Sequence, residues 1–239
     1  GASQILFLFI VPLSGGVQVL YTNRLGLHVL RGFCVVFANI TFFLGLAALP
    51  LAEGVAIFFI SPLLITIFSV VFLKEIVGPR RWAAVTIGLI GVLVILRPGS
   101  ATFQTASLLP LSAAFGYATL HMLTRYIGKT ESAASMSFYI QLTFLAVCLT
   151  LGLTIGDGKF SGWNDPSLEF LFRAWSWPSS DHYSILILIG TTSAFGGFFI
   201  SQAYRISEAA VVAPFEYIAL PIAIFWGCLL YTSPSPRDL

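Results

Sequence analysis

The sequence predicts an all-α membrane protein with about eight transmembrane helices, and three observations predict it. The 239 residues are 57% hydrophobic and 9% charged, whereas a soluble domain carries about 25% charged residues to cover its surface. The apolar residues fall in continuous rather than alternating runs. Each run is therefore a helix that satisfies its own backbone in lipid, and not a barrel strand. The basic residues gather in alternate gaps between runs, which is the charge bias of a polytopic protein. Mean hydropathy is +0.92. A soluble fold is excluded, and a net charge of +2 with no basic stripe offers nothing to nucleic acid.

A hydrocarbon core of about 30 Å takes roughly 17 to 25 helical residues. Runs of that order occupy 5–20, 27–46, 51–72, 82–96, 108–126, 134–155, 183–203 and 209–231, the first and fourth being the shortest. The first begins without a basic stretch and ends without a cleavage motif, so it is no signal peptide and a further segment is expected upstream. Arg24 and Arg31 follow the first run, Lys74, Arg80 and Arg81 the third, Arg125 and Lys129 the fifth, and Arg205 the seventh. The opposite side has Arg97, Lys159 and Arg173, with Asp157, Asp165, Glu169 and Asp181 among them. The first side is thus read as cytoplasmic, and the first run enters from outside. The long gap 156–182 is then external. Its Trp163, Trp175 and Trp177 and the amphipathic stretch 168–175 suit a segment lying on the outer leaflet, with a substrate lid as the alternative. Cys34, Cys148 and Cys228 each sit inside an apolar run without metal-ligand spacing, so neither a disulfide framework nor a metal or other cofactor is expected.

Leu51-Ala-Glu-Gly-Val-Ala56 recurs in type as Ile206-Ser-Glu-Ala-Ala-Val211, and each copy is followed by a proline in its run, Pro62 and Pro221. By the charge bias the two copies enter the membrane from opposite sides. Similar segments of opposite direction indicate an inverted repeat, a plan that places a binding site at the repeat interface.

The ordered set Leu46-Ala-Ala-Leu-Pro-Leu-Ala-Glu53, Ile57-Phe-Phe-Ile-Ser-Pro62, Phe72-Leu-Lys-Glu75, Pro79-Arg-Arg-Trp82 and Gly88-Leu-Ile-Gly-Val-Leu-Val-Ile-Leu-Arg-Pro98 resembles the first EamA repeat of the drug/metabolite transporter superfamily. Ala213-Pro-Phe-Glu-Tyr217 resembles part of the second. The resemblance implies ten helices in two inverted repeats. The eight runs then correspond to the second through ninth, with 1–98 as the first repeat, 99–231 as the second and 232–239 as a tail without membrane signal that reads as non-native. It also implies a secondary transporter of a small organic metabolite, working by alternating access in a bacterial inner membrane. Lipid and a metabolite are the expected partners; proton coupling and a homodimer stay open.

Glu216 lies about eight to ten residues into the last run, where an acidic group costs roughly 2.5 to 3.5 kcal/mol on insertion scales. It either faces a wet cavity or has a structural partner, and Tyr217 beside it points elsewhere on the helix. Asn39 and Phe43 stand one turn apart, a polar group beside an aromatic plate, or simply an interhelical hydrogen bond. Tyr117, His121 and Arg125 share a face running toward the cytoplasm. His121 is a candidate for proton coupling or for plain packing, and Arg125 an anchor. Ser61 and Gln202 complete the candidate binding set. Glu53, Glu75 and Glu208 are read as structural, with Glu75 in a solvated pair with Lys74. Ser193, Gly197 and Ser201, like Ala84 and Gly88, have the four-residue spacing of close helix packing.

The competing classes are an intramembrane serine protease, for which Ser193 and His121 could be nominated without a flanking motif, and a membrane scaffold that transports nothing. No metalloprotease, phosphate-loop, filter or voltage-sensor motif is present in the sequence.

Overall fold

The computed structural model describes residue 16, residues 21–96, residues 105–222 and residue 225. Apart from residues 16 and 225, the run 5–20 and the end of the last run lie outside these residues, as does the tail 232–239. The described residues form helices and connecting turns, without a strand. Five helical stretches, Leu25–Ala48, Glu53–Leu73, Thr105–Ile127, Ala133–Ile155 and Ser180–Ile206, are long and apolar enough to cross a membrane, and Ala209–Ile222 is a shorter apolar helix. The protein is an all-helical polytopic membrane protein.

Helix α1 (Leu25–Ala48) has 24 residues, roughly 36 Å at 1.5 Å per residue, enough to cross the hydrocarbon. It stops because Pro50 holds Leu49 in an extended conformation, φ −115° and ψ 151°. Helices α2 (Leu51–Phe58) and α3 (Ser61–Leu73) form one interrupted span. Pro62 has no N–H for the carbonyl four residues back, at Phe58, and there the helix breaks into the turn at Phe59 and Ile60. Helix α3 ends on Lys74 in the left-handed region, φ 55°.

Helix α4 (Pro79–Leu96) starts on a proline, and α5 (Leu108–Ile127) follows. Helix α6 (Ala133–Ile155) is capped by Ser132, whose side chain accepts from Ser135 N at 3.1 Å. The segment 156–182 carries α7 (Pro166–Phe172), where Asp165 Oδ1 accepts from Ser167 N at 2.9 Å and Leu168 N at 3.0 Å. Ser167 Oγ donates to Leu44 O at 2.7 Å, tying α7 to the end of α1. Nearby, the hydrogen bond from the Lys159 ammonium, 2.5 Å from Asp157 Oδ2, lowers the Asp157 carboxyl below its usual range.

Helix α8 (Tyr183–Ile206) leads to α9 (Ala209–Ile222), whose middle, Ala213–Ile218, is wound as a 3₁₀ helix. Two prolines account for this: Pro214 and Pro221 remove the donors for the carbonyls of Ala210 and Tyr217. The turn at Phe59 and Ile60 and the 3₁₀ segment Ala213–Ile218 lie just upstream of Pro62 and Pro221, the prolines that follow the two similar segments. The broken helices touch, with the Phe59 and Tyr217 rings stacked at 6.1 Å.

The bundle is organised on α5, which packs against α1 and α3, while α6 covers α1 and α8. Gly32 lets α1 pack closely on α6: a Cβ there would clash with the Thr143 side chain. Ile65, Ala118, Tyr204, Ala209 and Ala213 form a buried core between α3, α5, α8 and α9.

Candidate functional site

One end of the bundle collects the charges that the sequence assigns to the cytoplasm. Arg125 Nε donates to Glu75 Oε1 at 3.1 Å and its Nη1 to Arg205 O at 3.1 Å, while Arg205 Nε donates to Glu131 O at 2.8 Å. Glu75 also accepts from the N–H groups of Ala209 and Ala210, each at 3.3 Å, at the start of α9. It is therefore no solvated partner of Lys74 but a joint between α3, α5 and α9. Arg81 pairs with Glu208, joining α4 to the start of α9.

Arg31 departs from its expected place in a charged gap. It lies within α1, fully buried, and donates from Nε and Nη2 to Thr124 Oγ1 at 3.1 and 2.9 Å and from Nη1 to Met136 O at 3.4 Å. One turn nearer the charged end, His28 packs on the Tyr139 ring at 4.5 Å, and its Nε2 lies 3.4 Å from Glu131 Oε2 without hydrogen-bond alignment. These side chains seal α1, α5 and α6 together at this end.

Further along the same helices opens a cleft of about 410 Å³ between α1, α5, α6 and α8. Of the residues singled out by sequence, Asn39, Tyr117 and His121 line it. Asn39 Nδ2 donates to Val35 O at 2.8 Å. Gln141, Phe144 and Cys148 of α6 complete one wall, and Ser193, Gly197 and Ser201 of α8 another. That small-residue row is not a packing stripe: a Cβ on Gly197 would meet nothing within 4 Å. Small side chains here leave volume.

Glu216 stands behind this wall. Its Oε1 accepts from Tyr204 Oη at 2.6 Å and from Tyr117 Oη at 3.4 Å. The His121 ring lies 4.2 Å from the Tyr117 ring and 4.1 Å from the Tyr204 ring, so the two tyrosines stand between the carboxylate and the histidine. Tyr204, fully buried, is the member that sequence reasoning missed; its three-residue step from Ser201 was the available signal.

The remaining candidates do not line the cleft. Phe43 is 50% exposed, with its ring edge on Phe42. Ser61 is buried at the break before α3, its hydroxyl without a partner. Gln202 is half-buried on α8. Tyr217 packs over α4, where a Cβ on Gly88 would come within 2.3 Å of its ring, and its hydroxyl has no partner. Ser193 and His121 line one cleft, yet neither ring nitrogen of His121 has a hydrogen-bond partner. The nucleophile and base that a serine protease requires are thus not paired.

Comparison with known proteins identifies the family. Residues 2–97 match the EamA-like transporter family. Over 223 residues the chain is 31% identical to a riboflavin transporter of Vibrio cholerae, covering 93% of this chain and 69% of that protein. The chain belongs to the EamA-like transporter family. It is also 29% identical to an S-adenosylmethionine uptake transporter of Rickettsia prowazekii over 87% of this chain and 64% of that protein. A solved crystal structure covers 98% of this chain and 79% of its own with a TM-score of 0.73 at 17% identity, a likeness of fold. The EamA chain is thus a membrane transporter of small metabolites.

Proposed function

We propose that this EamA protein carries a nitrogen-heteroaromatic metabolite across a bacterial inner membrane by alternating access, with the cleft between α1, α5, α6 and α8 as its binding site. The supporting observation is the cleft itself. Its volume of about 410 Å³ falls within the range of small-molecule sites, and its mainly apolar walls carry two amides, Asn39 and Gln141, and the rings of Tyr117 and Phe144. Riboflavin and S-adenosylmethionine, the cargoes in the relatives' names, share a flat nitrogen heterocycle. The sealed charged end and the cleft beyond it fit one state of an alternating cycle, in which α1, α5 and α6 separate at Arg31 to release cargo inward. Two broken helices meeting at Phe59 and Tyr217 fit the inverted-repeat plan, and α9 reaches the cleft wall through Glu216, which accepts from the cleft-lining Tyr117. Glu216 is the group proposed to couple a proton or to hold the tyrosines in place.

The test is uptake of radiolabelled riboflavin and of radiolabelled S-adenosylmethionine by proteoliposomes containing the full-length protein. The expected result is saturable uptake of at least one, reduced several-fold in Asn39→Ala. Uptake of neither, from correctly inserted protein, removes the heteroaromatic cargo.

A further inference from the structure

We infer that a hollow at the charged end of the bundle, outside the cleft, is a site for the phosphate headgroup of an anionic phospholipid, held by Arg24 and Lys129. The hollow measures about 390 Å³ and lies where the start of α1, the ends of α3 and α5 and the start of α9 come together. It shares no lining residue with the cleft, so the inference stands apart from the transport reading.

Three observations carry it. The first is an excess of positive charge. Arg24, Arg125 and Lys129 line the hollow against Glu75 and Glu208. Both carboxylates are committed. Glu75 accepts from Arg125 Nε and from the N–H groups of Ala209 and Ala210, and Glu208 pairs with Arg81. Arg24 and Lys129 are left over. Among the described residues neither has a carboxylate partner, and the Arg24 guanidinium lies over the Tyr126 ring at 5.9 Å from its centre. A phosphate oxygen is the acceptor that such donors bind most strongly.

The second observation is access. Arg24 and Lys129 are exposed, so a ligand in the hollow reaches both as they stand.

The third is what lies beside the charge. Phe72 and Leu73 of α3 and Tyr126 of α5 line the same hollow, and Phe72 and Tyr126 are more than half exposed. Free phosphate has no use for these side chains. A phospholipid uses both kinds of surface, setting its head on the cations and its glycerol and first methylenes on the rings. The charge bias assigns this end to the cytoplasmic face, and a basic pocket between transmembrane helices at that face suits an anionic headgroup.

The experiment is native mass spectrometry of the full-length protein in detergent, titrated with phosphatidylglycerol, with phosphatidylcholine, or with phosphatidylglycerol in the presence of millimolar inorganic phosphate. Wild type is expected to retain one phosphatidylglycerol about fivefold or more tightly than phosphatidylcholine, and phosphate should not displace it. Arg24→Gln with Lys129→Gln should weaken phosphatidylglycerol about twentyfold, each cation near such a surface contributing about fivefold. Arg80→Gln removes the same charge from an exposed position of α4 that does not line the hollow, and should change affinity by less than about twofold. Equal retention of the two lipids, displacement by phosphate, an unchanged affinity in the folded double variant, or an equal loss per charge in Arg80→Gln overturns the inference. If the double variant does not fold, Lys129→Gln alone, an exposed residue in the turn after α5, replaces it. Its expected loss is about fivefold, and no loss there likewise overturns the inference.

Discussion

The two broken helices make an instructive pair. Glu53 and Glu208 stand at the start of similar segments, and eight positions on, at 61 and 216, stand Ser61 and Glu216. In the first copy the break is tight, a turn at Phe59 and Ile60, and the polar group there is a buried hydroxyl without a partner. In the second the break is spread over the 3₁₀ segment Ala213–Ile218, and the polar group is a carboxylate that two tyrosines from α5 and α8 approach. A shared backbone plan thus serves as plain framework in one copy and as a polar junction beside the cleft in the other. The lesson is that a proline break locates such a site, and the side chain placed at the break decides whether chemistry follows.

The strongest way to break this comparison is to remove the carboxylate. Glu216→Leu strands the fully buried Tyr204 hydroxyl, at a cost of about 1–3 kcal/mol, and should lower expression and melting temperature of the full-length protein. Glu216→Gln keeps an acceptor and most of the volume, so it should fold and insert while transport falls several-fold or loses its pH dependence. Wild-type transport with an unchanged pH response in the Gln variant would make Glu216 a structural group like Ser61 and move attention to Asn39 and His121.

A second contrast uses the glycines packed against each copy. An added Cβ at Gly88 would stand 2.3 Å from the Tyr217 ring, whereas at Gly54 it would meet a terminal methyl of Leu46 at 2.5 Å. The tyrosine is held between α4 and Phe59, and the leucine methyl can rotate away. Gly88→Ala should therefore destabilise by about 1–3 kcal/mol as overpacking does. Gly54→Ala should be close to neutral, because alanine recovers up to about 1 kcal/mol of helix propensity. Melting of the two variants in detergent measures the difference, and equal losses would mean that both breaks are packed alike.

A smaller effect separates the two tyrosines. Tyr204→Phe removes a donor at 2.6 Å, Tyr117→Phe one at 3.4 Å. The first should cost about 0.5–1.5 kcal/mol, the usual net worth of such a bond, and the second less. The reverse order, read from thermal shifts, would mean that Tyr117 is the principal partner of Glu216.

Much of the frame was legible before the structure. Runs of apolar residues located α1, the interrupted span α2–α3, α4, α5, α6 and α8 to within a few residues, because length in lipid is set by hydrocarbon thickness alone. The interruptions were not drawn from the sequence, where Pro62 and Pro221 served only to mark the repeat, although a missing N–H acts locally and was the available signal. Arg31 was misplaced for the same reason that charge counting succeeds elsewhere: the bias averages over gaps, while Arg31 is satisfied one by one by Thr124 and Met136. The row Ser193, Gly197 and Ser201 reads the same whether it faces a helix or a void. Which of the two applies depends on α1 and α6, whose distance from α8 no local pattern encodes. Tyr204 stayed hidden because its value lies in reaching Glu216 across a loop and a break.

The smallest expected effect is the sharpest on the comparison. Ser61 sits 1% exposed with its hydroxyl unpaired, at the position that matches Glu216 in the other copy. If the first break is framework only, deleting the hydroxyl removes a buried group that gains nothing, and Ser61→Ala should be neutral or stabilising by up to about 1 kcal/mol. Transport by the full-length protein should not change. The opposite result, a several-fold loss of uptake with unchanged melting, would mean that Ser61 finds its partner in another state of the cycle. Both copies would then carry chemistry, each in its own half of the transport cycle, and the asymmetry between Ser61 and Glu216 would belong to this conformation rather than to the protein.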